Sequence, residues 1–172
     1  DEAYLEFVTD PALPSALGLL ERFPNLVVAR TFSKGYALAG LRVGFLAAHS
    51  ELVAVMERVR ESFNVNLPAL AAALAALYDQ DHLDAVREAN AASRIALAAA
   101  LRQRGLQVPD SQTNFLLADF GREAAPIEAA LIARGVVLRP MVGYGLPTCL
   151  RITVGNADEN ARLLQALDEV LA

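Results

Sequence analysis

The residue best suited to covalent chemistry is Lys34, in the run TFSKG, because it is the only lysine in a chain whose other 14 basic residues are arginines. Thr31 and Ser33 come just before it, small residues follow it, and Arg42 lies eight positions on, where the chain turns apolar at Val43, Phe45 and Leu46. An amine that loses its proton can attack a carbonyl, provided its neighbours hold what it attacks. The hydroxyls of Thr31 and Ser33 are donors suited to a phosphate, and the guanidinium of Arg42 presents donors in a fixed fork. Glycines at 35, 40 and 44 allow tight turns and close approach of backbone to a ligand. Together these residues predict an imine (aldimine) between Lys34 and a phosphorylated aldehyde, in cofactor terms pyridoxal 5'-phosphate. The bland alternative is a solvated lysine in a Gly/Ser loop, and spacing alone does not separate the two.

The elements that must position these residues follow an α/β pattern. DEAYLEF at 1–7 reads as the end of a strand or the turn after one, with Asp1 and Tyr4 as its ligand-facing polar residues. Pro11 and Pro14 punctuate a loop before a short helix over 16–22. Leu26–Ala29 reads as a buried strand delivering Arg30 to Lys34 at its C-terminal end, where α/β sheets place ligands. Leu41–Ala47 reads as a second strand, antiparallel to the first. Ser50 is the expected cap of a helix with Leu52, Val53, Met56, Val59 and Phe63 on one face. Pro68 opens an alanine-rich helix to Tyr78, with Leu70, Leu74 and Leu77 at helical spacing. Asp81 caps a long helix to about Arg104, ended by Gly105, that bridges two domains, 1–80 and 81–172.

Beyond the long helix, strands are expected at 106–108, 114–118, 136–138 and 150–154, with a helix over 124–134 stopped by Gly135. Asn156 and Glu159 form a capping box opening a last amphipathic helix. This block is a compact α+β domain.

Composition narrows the function classes. The chain has 172 residues, is 55 % hydrophobic and carries a net charge of -5, as expected of a globular protein with a sizeable core. The acidic balance and singly scattered arginines argue against a nucleic-acid partner. A single cysteine, Cys149, excludes an internal disulfide and suits a reducing, cytoplasmic setting. Cys149 itself reads as a small buried hydrophobe, and His49 and His82 read as surface or capping residues. No cluster suggests a metal site. The longest low-charge run, Leu67–Tyr78, is too short to span a bilayer, and the opening Asp1-Glu2 is not a signal peptide. With no initiator methionine, the start reads as a cut in a longer protein.

The stretch ARTFSKGYALAGLRVGF, with DEAY before it and VVLRPMVGYGLPTCLRITVG after it, resembles the histidinol-phosphate aminotransferases, members of the fold-type I, aspartate-aminotransferase-like class. The resemblance covers the whole chain, which corresponds to the C-terminal half of such an enzyme: the end of the large cofactor-binding domain and the small α+β domain. It implies that Lys34 carries the cofactor and moves the substrate proton. It implies that Asp1 pairs with the pyridine nitrogen, that Tyr4 reaches the ring hydroxyl, and that Thr31, Ser33 and Arg42 serve the phosphate. On the substrate side it implies Arg151 for the glutamate carboxylate, Arg139 for the phosphate of histidinol phosphate, and Asn114 on the small-domain side. The implied reaction exchanges an amino group between L-histidinol phosphate and 2-oxoglutarate, in histidine biosynthesis, by a homodimer.

Residues 1–172 alone are expected to bind the cofactor weakly and to be inactive, since the other half supplies the rest of the cofactor's surroundings. Competing readings are an aromatic or broad-specificity aminotransferase, a threonine-phosphate decarboxylase-like enzyme, a non-catalytic effector module and a purely structural α/β domain.

Overall fold

The computed structural model describes residues 1–172 and divides into two compact units, Asp1–Arg87 and Glu88–Ala172. The first opens with a turn in which the Glu2 N–H donates to the Ala29 carbonyl at 2.8 Å, followed by a 3₁₀ turn at Leu5–Phe7. The DEAY stretch is thus a turn tied to a strand by one backbone bond. The expected helix at 16–22 is a 3₁₀ turn, Ala16–Leu19, capped by the Ser15 hydroxyl. Strand β1 (Val27–Thr31) pairs antiparallel with β2 (Gly44–Ala48), Thr31 opposite Gly44 and Arg30 opposite Phe45. Leu41 belongs to a 3₁₀ turn, Ala39–Leu41, so the second strand starts later than expected.

Helix α1 (Ser50–Glu57) is capped by the His49 side chain, not by Ser50, and ends before Val59 and Phe63. Those two residues are 82 % and 97 % exposed, so the expected apolar face stops at Met56. Helix α2 (Leu67–Tyr78) has Asn66 as its cap, its Oδ1 accepting from the Ala69 N–H, and Pro68 in its first turn. Its packed face is the small one: Ala69 and Ala73 close on Phe32 and Val43, while Leu70, Leu74 and Leu77 are exposed. Helical periodicity showed the leucine stripe but not which side of the helix meets the core. Helix α3 (Gln80–Gln103) is capped by Asp79, whose carboxylate accepts from the His82 N–H, so Asp81 lies in the first turn. The division between the units falls inside α3.

In the second unit, β3 (Phe115–Asp119) and the two-residue β4 (Arg139–Pro140) flank β5 (Cys149–Thr153), all antiparallel. The expected strand at 106–108 is reduced to a single bridge, Gln107 to Asp119, and 136–138 is not a strand. The ladder there begins at Arg139, the first residue opposite β5. Helix α4 (Ala125–Ile132) and helix α5 (Ala157–Leu171) complete the unit; α5 opens with the full Asn156/Glu159 capping box. Gly135 takes a left-handed φ of 73° shortly after α4, a conformation that favours glycine.

Along β5 the residues alternate. Leu150 and Ile152 point into a core with Leu101, Leu116, Leu131 and Leu167, which leaves Arg151 on the opposite face.

Candidate functional site

Lys34 sits in a loop closed at both ends by backbone bonds. The Phe32 N–H donates to the Val43 carbonyl at 3.1 Å, and the Leu38 N–H to the Phe32 carbonyl at 2.9 Å. Phe32 is buried and packs on Tyr36 at 4.9 Å between ring centroids, so the loop is anchored on the residue two before the lysine. Gly35 is buried, and a Cβ there would come within 2.7 Å of Glu6 Cβ. The Lys34 side chain is exposed, its Nζ 5.6 Å from the Tyr4 ring centroid. This is cation–π range, so the turn at 1–7 places the tyrosine beside the amine.

The Thr31 hydroxyl donates to Ser33 Oγ at 2.8 Å and its oxygen accepts from the Ser33 N–H at 3.1 Å. The Ser33 hydroxyl proton is left to point elsewhere. Arg42 adopts a left-handed conformation, φ 55°, and its Nη1 donates to the Ala39 carbonyl at 2.9 Å. Its guanidinium is exposed and has donors to spare. Asp1 accepts from the Ala3 N–H at 3.0 Å, which shapes the turn that presents Tyr4. The fold therefore brings Tyr4 to Lys34 and Thr31 to Ser33, whereas Asp1 and Arg42 spend contacts on their own turns. Hydroxyl donors, an arginine fork and a free amine on one loop form a donor set that fits a phosphorylated aldehyde.

Behind this loop lies a network that spacing did not reveal. Arg30 Nε donates to Glu2 Oε2 at 3.0 Å and Nη2 to Ser15 Oγ at 2.9 Å. Burial alone would push the Glu2 carboxyl up, but hydrogen bonds from the Ala16 N–H, Ser15 and Arg30, with the Arg30 charge, hold it below the usual range. Glu6 is pushed the other way, chiefly by burial and further by the Glu2 charge, which together outweigh its own N–H and Arg30. The partners lie 28 positions apart in the chain, beyond the reach of any local pattern.

In the second unit, Arg151 stands opposite Arg139 on one side and Leu117 on the other. Like charges directly opposite on adjacent strands repel. The Arg151 guanidinium lies 4.9 Å from the Phe115 ring centroid, the diagonal neighbour on β3, and its buried Nε has no hydrogen-bond partner. Arg139 leans on Tyr144, Nη2 donating to Oη at 3.4 Å. The Asn114 carbonyl accepts from the Val154 N–H at 2.9 Å, which places this residue at the end of the β3–β5 ladder. Cys149 is buried and, two residues before Arg151, lies on the same face of β5.

The family model for aminotransferase class I and II matches residues 1–167, so the chain belongs to that family. Among its relatives, histidinol-phosphate aminotransferase 1 of Nitrosococcus oceani is 47 % identical over 171 residues, 99 % of this chain and 46 % of the relative. Histidinol-phosphate aminotransferase 2 of Pseudomonas aeruginosa is 47 % identical over 172 residues, all of this chain and 47 % of that protein. The chain spans about half the length of the curated relatives it matches. The crystal structure of histidinol-phosphate aminotransferase from Sinorhizobium meliloti in complex with pyridoxal-5'-phosphate superposes with a TM-score of 0.88 at 35 % identity. That match covers 99 % of this chain and 47 % of the other. The mixed α/β architecture expected from the sequence is thus that of the aminotransferase fold.

Proposed function

We propose that the complete protein carrying this chain is a pyridoxal-phosphate-dependent aminotransferase acting on L-histidinol phosphate with 2-oxoglutarate as acceptor. The observation that carries the reading is Lys34, an exposed amine beside the Tyr4 ring on a loop whose Thr31 and Ser33 hydroxyls converge. Bound pyridoxal phosphate supplies an aldehyde for the amine and a ring that accepts electrons from the substrate carbon. Lys34 holds the cofactor and, once its amine is free and neutral, moves the proton of the substrate's amine-bearing carbon. Asp1 supplies the negative charge that keeps the ring nitrogen protonated. Tyr4 orients the ring through its hydroxyl, and Thr31, Ser33 and Arg42 hold the phosphate.

In the second unit, Arg151 and Arg139 bind the anionic ends of the two substrates, the glutamate carboxylate and the histidinol phosphate respectively. Asn114 contributes a polar contact to the substrate. On this reading residues 1–80 belong to the cofactor-binding domain and residues 81–172, beginning with the long helix, to the small domain. The complete protein works as a cytoplasmic homodimer in histidine biosynthesis. No helix is long and apolar enough to cross a membrane.

Adding pyridoxal phosphate to the complete protein should produce a visible absorbance band that Lys34→Ala abolishes, with the fold intact by circular dichroism. Histidinol phosphate should bleach the band at lower concentration than aromatic amino acids do. A band that survives Lys34→Ala would remove the lysine from its role, and equal bleaching by phenylalanine would point to a broad-specificity enzyme.

A further inference from the structure

Beside the Glu2–Ala29 backbone bond, Arg30 is the residue whose side chain holds the first seven residues to β1. It lies in the middle of the strand with its side chain 19 % exposed, on the same face as buried Val28. Its guanidinium meets two carboxylates: Glu2 Oε2 at 3.0 Å and Glu6 Oε1 at 4.0 Å. Ser15 is bound to both members of the closer pair, donating to Glu2 Oε2 at 2.9 Å and accepting from Arg30. Glu2 Oε1 also takes the Ala16 N–H at 2.6 Å. One cation therefore joins the turn at 1–7, the loop at 15–16 and the strand that leads to Lys34.

The other end of this cluster touches the catalytic loop. Glu6 is 6 % exposed, its Oε2 has no hydrogen-bond partner, and its Cβ lies where a side chain on Gly35 would have to go. The peptide after Lys34 thus rests directly on Glu6. Glu2 and Glu6 flank Tyr4 in sequence, so a shift of either carboxylate moves the tyrosine relative to the amine. Two carboxylates held close by a single guanidinium repel each other once it is gone, and buried charges left without a cation are driven toward water.

We propose that Arg30 is a positioning residue for the Lys34 site: by gripping Glu2 and facing Glu6 it locks residues 1–7 against β1 and keeps Tyr4 beside the lysine amine. The inference rests on the cofactor reading above for its functional consequence, but the clamp itself has a cofactor-free readout. Because Lys34 is the only lysine of this chain, an amine-reactive label on these residues, located by peptide mass, reports that side chain alone.

The experiment compares Arg30→Met and Arg30→Lys with the unaltered complete protein. Without cofactor, Arg30→Met should label Lys34 about threefold faster or more and speed amide exchange in residues 1–7, as expected when a local segment opens. With pyridoxal phosphate, absorbance titration should show affinity about tenfold weaker, the order seen when an orienting partner is lost, and a displaced pH midpoint of the visible band. Arg30→Lys, which keeps the charge but not the fork, should recover part of each effect. An Arg30→Met variant that melts earlier yet keeps labelling rate, affinity and pH midpoint would overturn the proposal and leave Arg30 a structural residue only. If the unaltered protein gives no visible band, the cofactor reading fails by itself; labelling and exchange rates that do not change then refute the clamp, and rates that rise uphold it.

Discussion

Gly44 is where stability and site geometry meet most directly, and Gly44→Ala tests both. Its backbone is extended, so glycine is required there by space and not by a left-handed φ. A Cβ at 44 would lie 2.6 Å from the Arg30 carbonyl oxygen and 3.3 Å from Thr31 Cα. Both obstacles are backbone atoms of the neighbouring strand, and no rotamer change relieves them. Reaching ordinary contact at 3.4 Å requires β1 and β2 to part by about 0.8 Å at the Thr31–Gly44 pair. Overpacking of this kind costs about 1–3 kcal/mol.

The displaced carbonyl belongs to Arg30, next to Thr31 and four residues before Lys34, so the strain is delivered into the loop. A misplacement approaching 1 Å in a reacting group costs up to about 100-fold in rate. Urea unfolding of the complete protein should show that loss of stability, and pyridoxal phosphate titration and turnover should each fall by about tenfold or more. Gly18→Ala is the control, because a Cβ there meets nothing within 4 Å. A Gly44→Ala protein within about 0.5 kcal/mol of the original, with unchanged cofactor affinity, would refute the reasoning that β1 transmits its register to the lysine loop.

Two further outcomes follow from charges the fold has buried. The Glu6 proton is held more tightly in the folded protein than in the unfolded chain, so its stabilising share is complete below the ordinary glutamate range and lost as pH rises through the raised folded value. Glu6→Gln should therefore melt about 1–3 °C higher at pH 7 and flatten the melting profile above that range; a variant destabilised at pH 7 with an unchanged profile would assign the carboxylate a needed charge. Arg94, 4 % exposed on α3, donates to the Thr113 carbonyl at 3.1 Å and to Gln112 Oε1 at 3.4 Å. Asn90 Nδ2 donates to the same Thr113 carbonyl at 3.2 Å. Arg94→Met should cost about 1–3 kcal/mol in denaturant unfolding, and coupling below about 0.3 kcal/mol with Asn90→Ala would refute the idea that the two act through that shared acceptor.

The sequence by itself determined what depends on local rules. It picked out the one lysine with hydroxyls beside it, the α5 capping box, the helix stop at Gly135, and the alternation that puts Arg151 on the face opposite Leu150 and Ile152. Each of these is fixed by the backbone dihedrals and side-chain period of a few consecutive residues. What depends on which distant segment lies alongside was decided only by the tertiary structure. Periodicity showed a leucine stripe on α2, yet the core chose Ala69 and Ala73, because Phe32 and Val43 pack closely against a helix only where its side chains are small. It showed Arg30, Glu2 and Glu6 as separate charges, not as one cluster, and Arg139 and Arg151 as separate cations, not as a facing pair on adjacent strands. Strand register is the reason. The shift that set Arg139 against Arg151 is chosen by burial of Leu150 and Ile152 on the far face, and a slip of one residue would have turned every one of those side chains over.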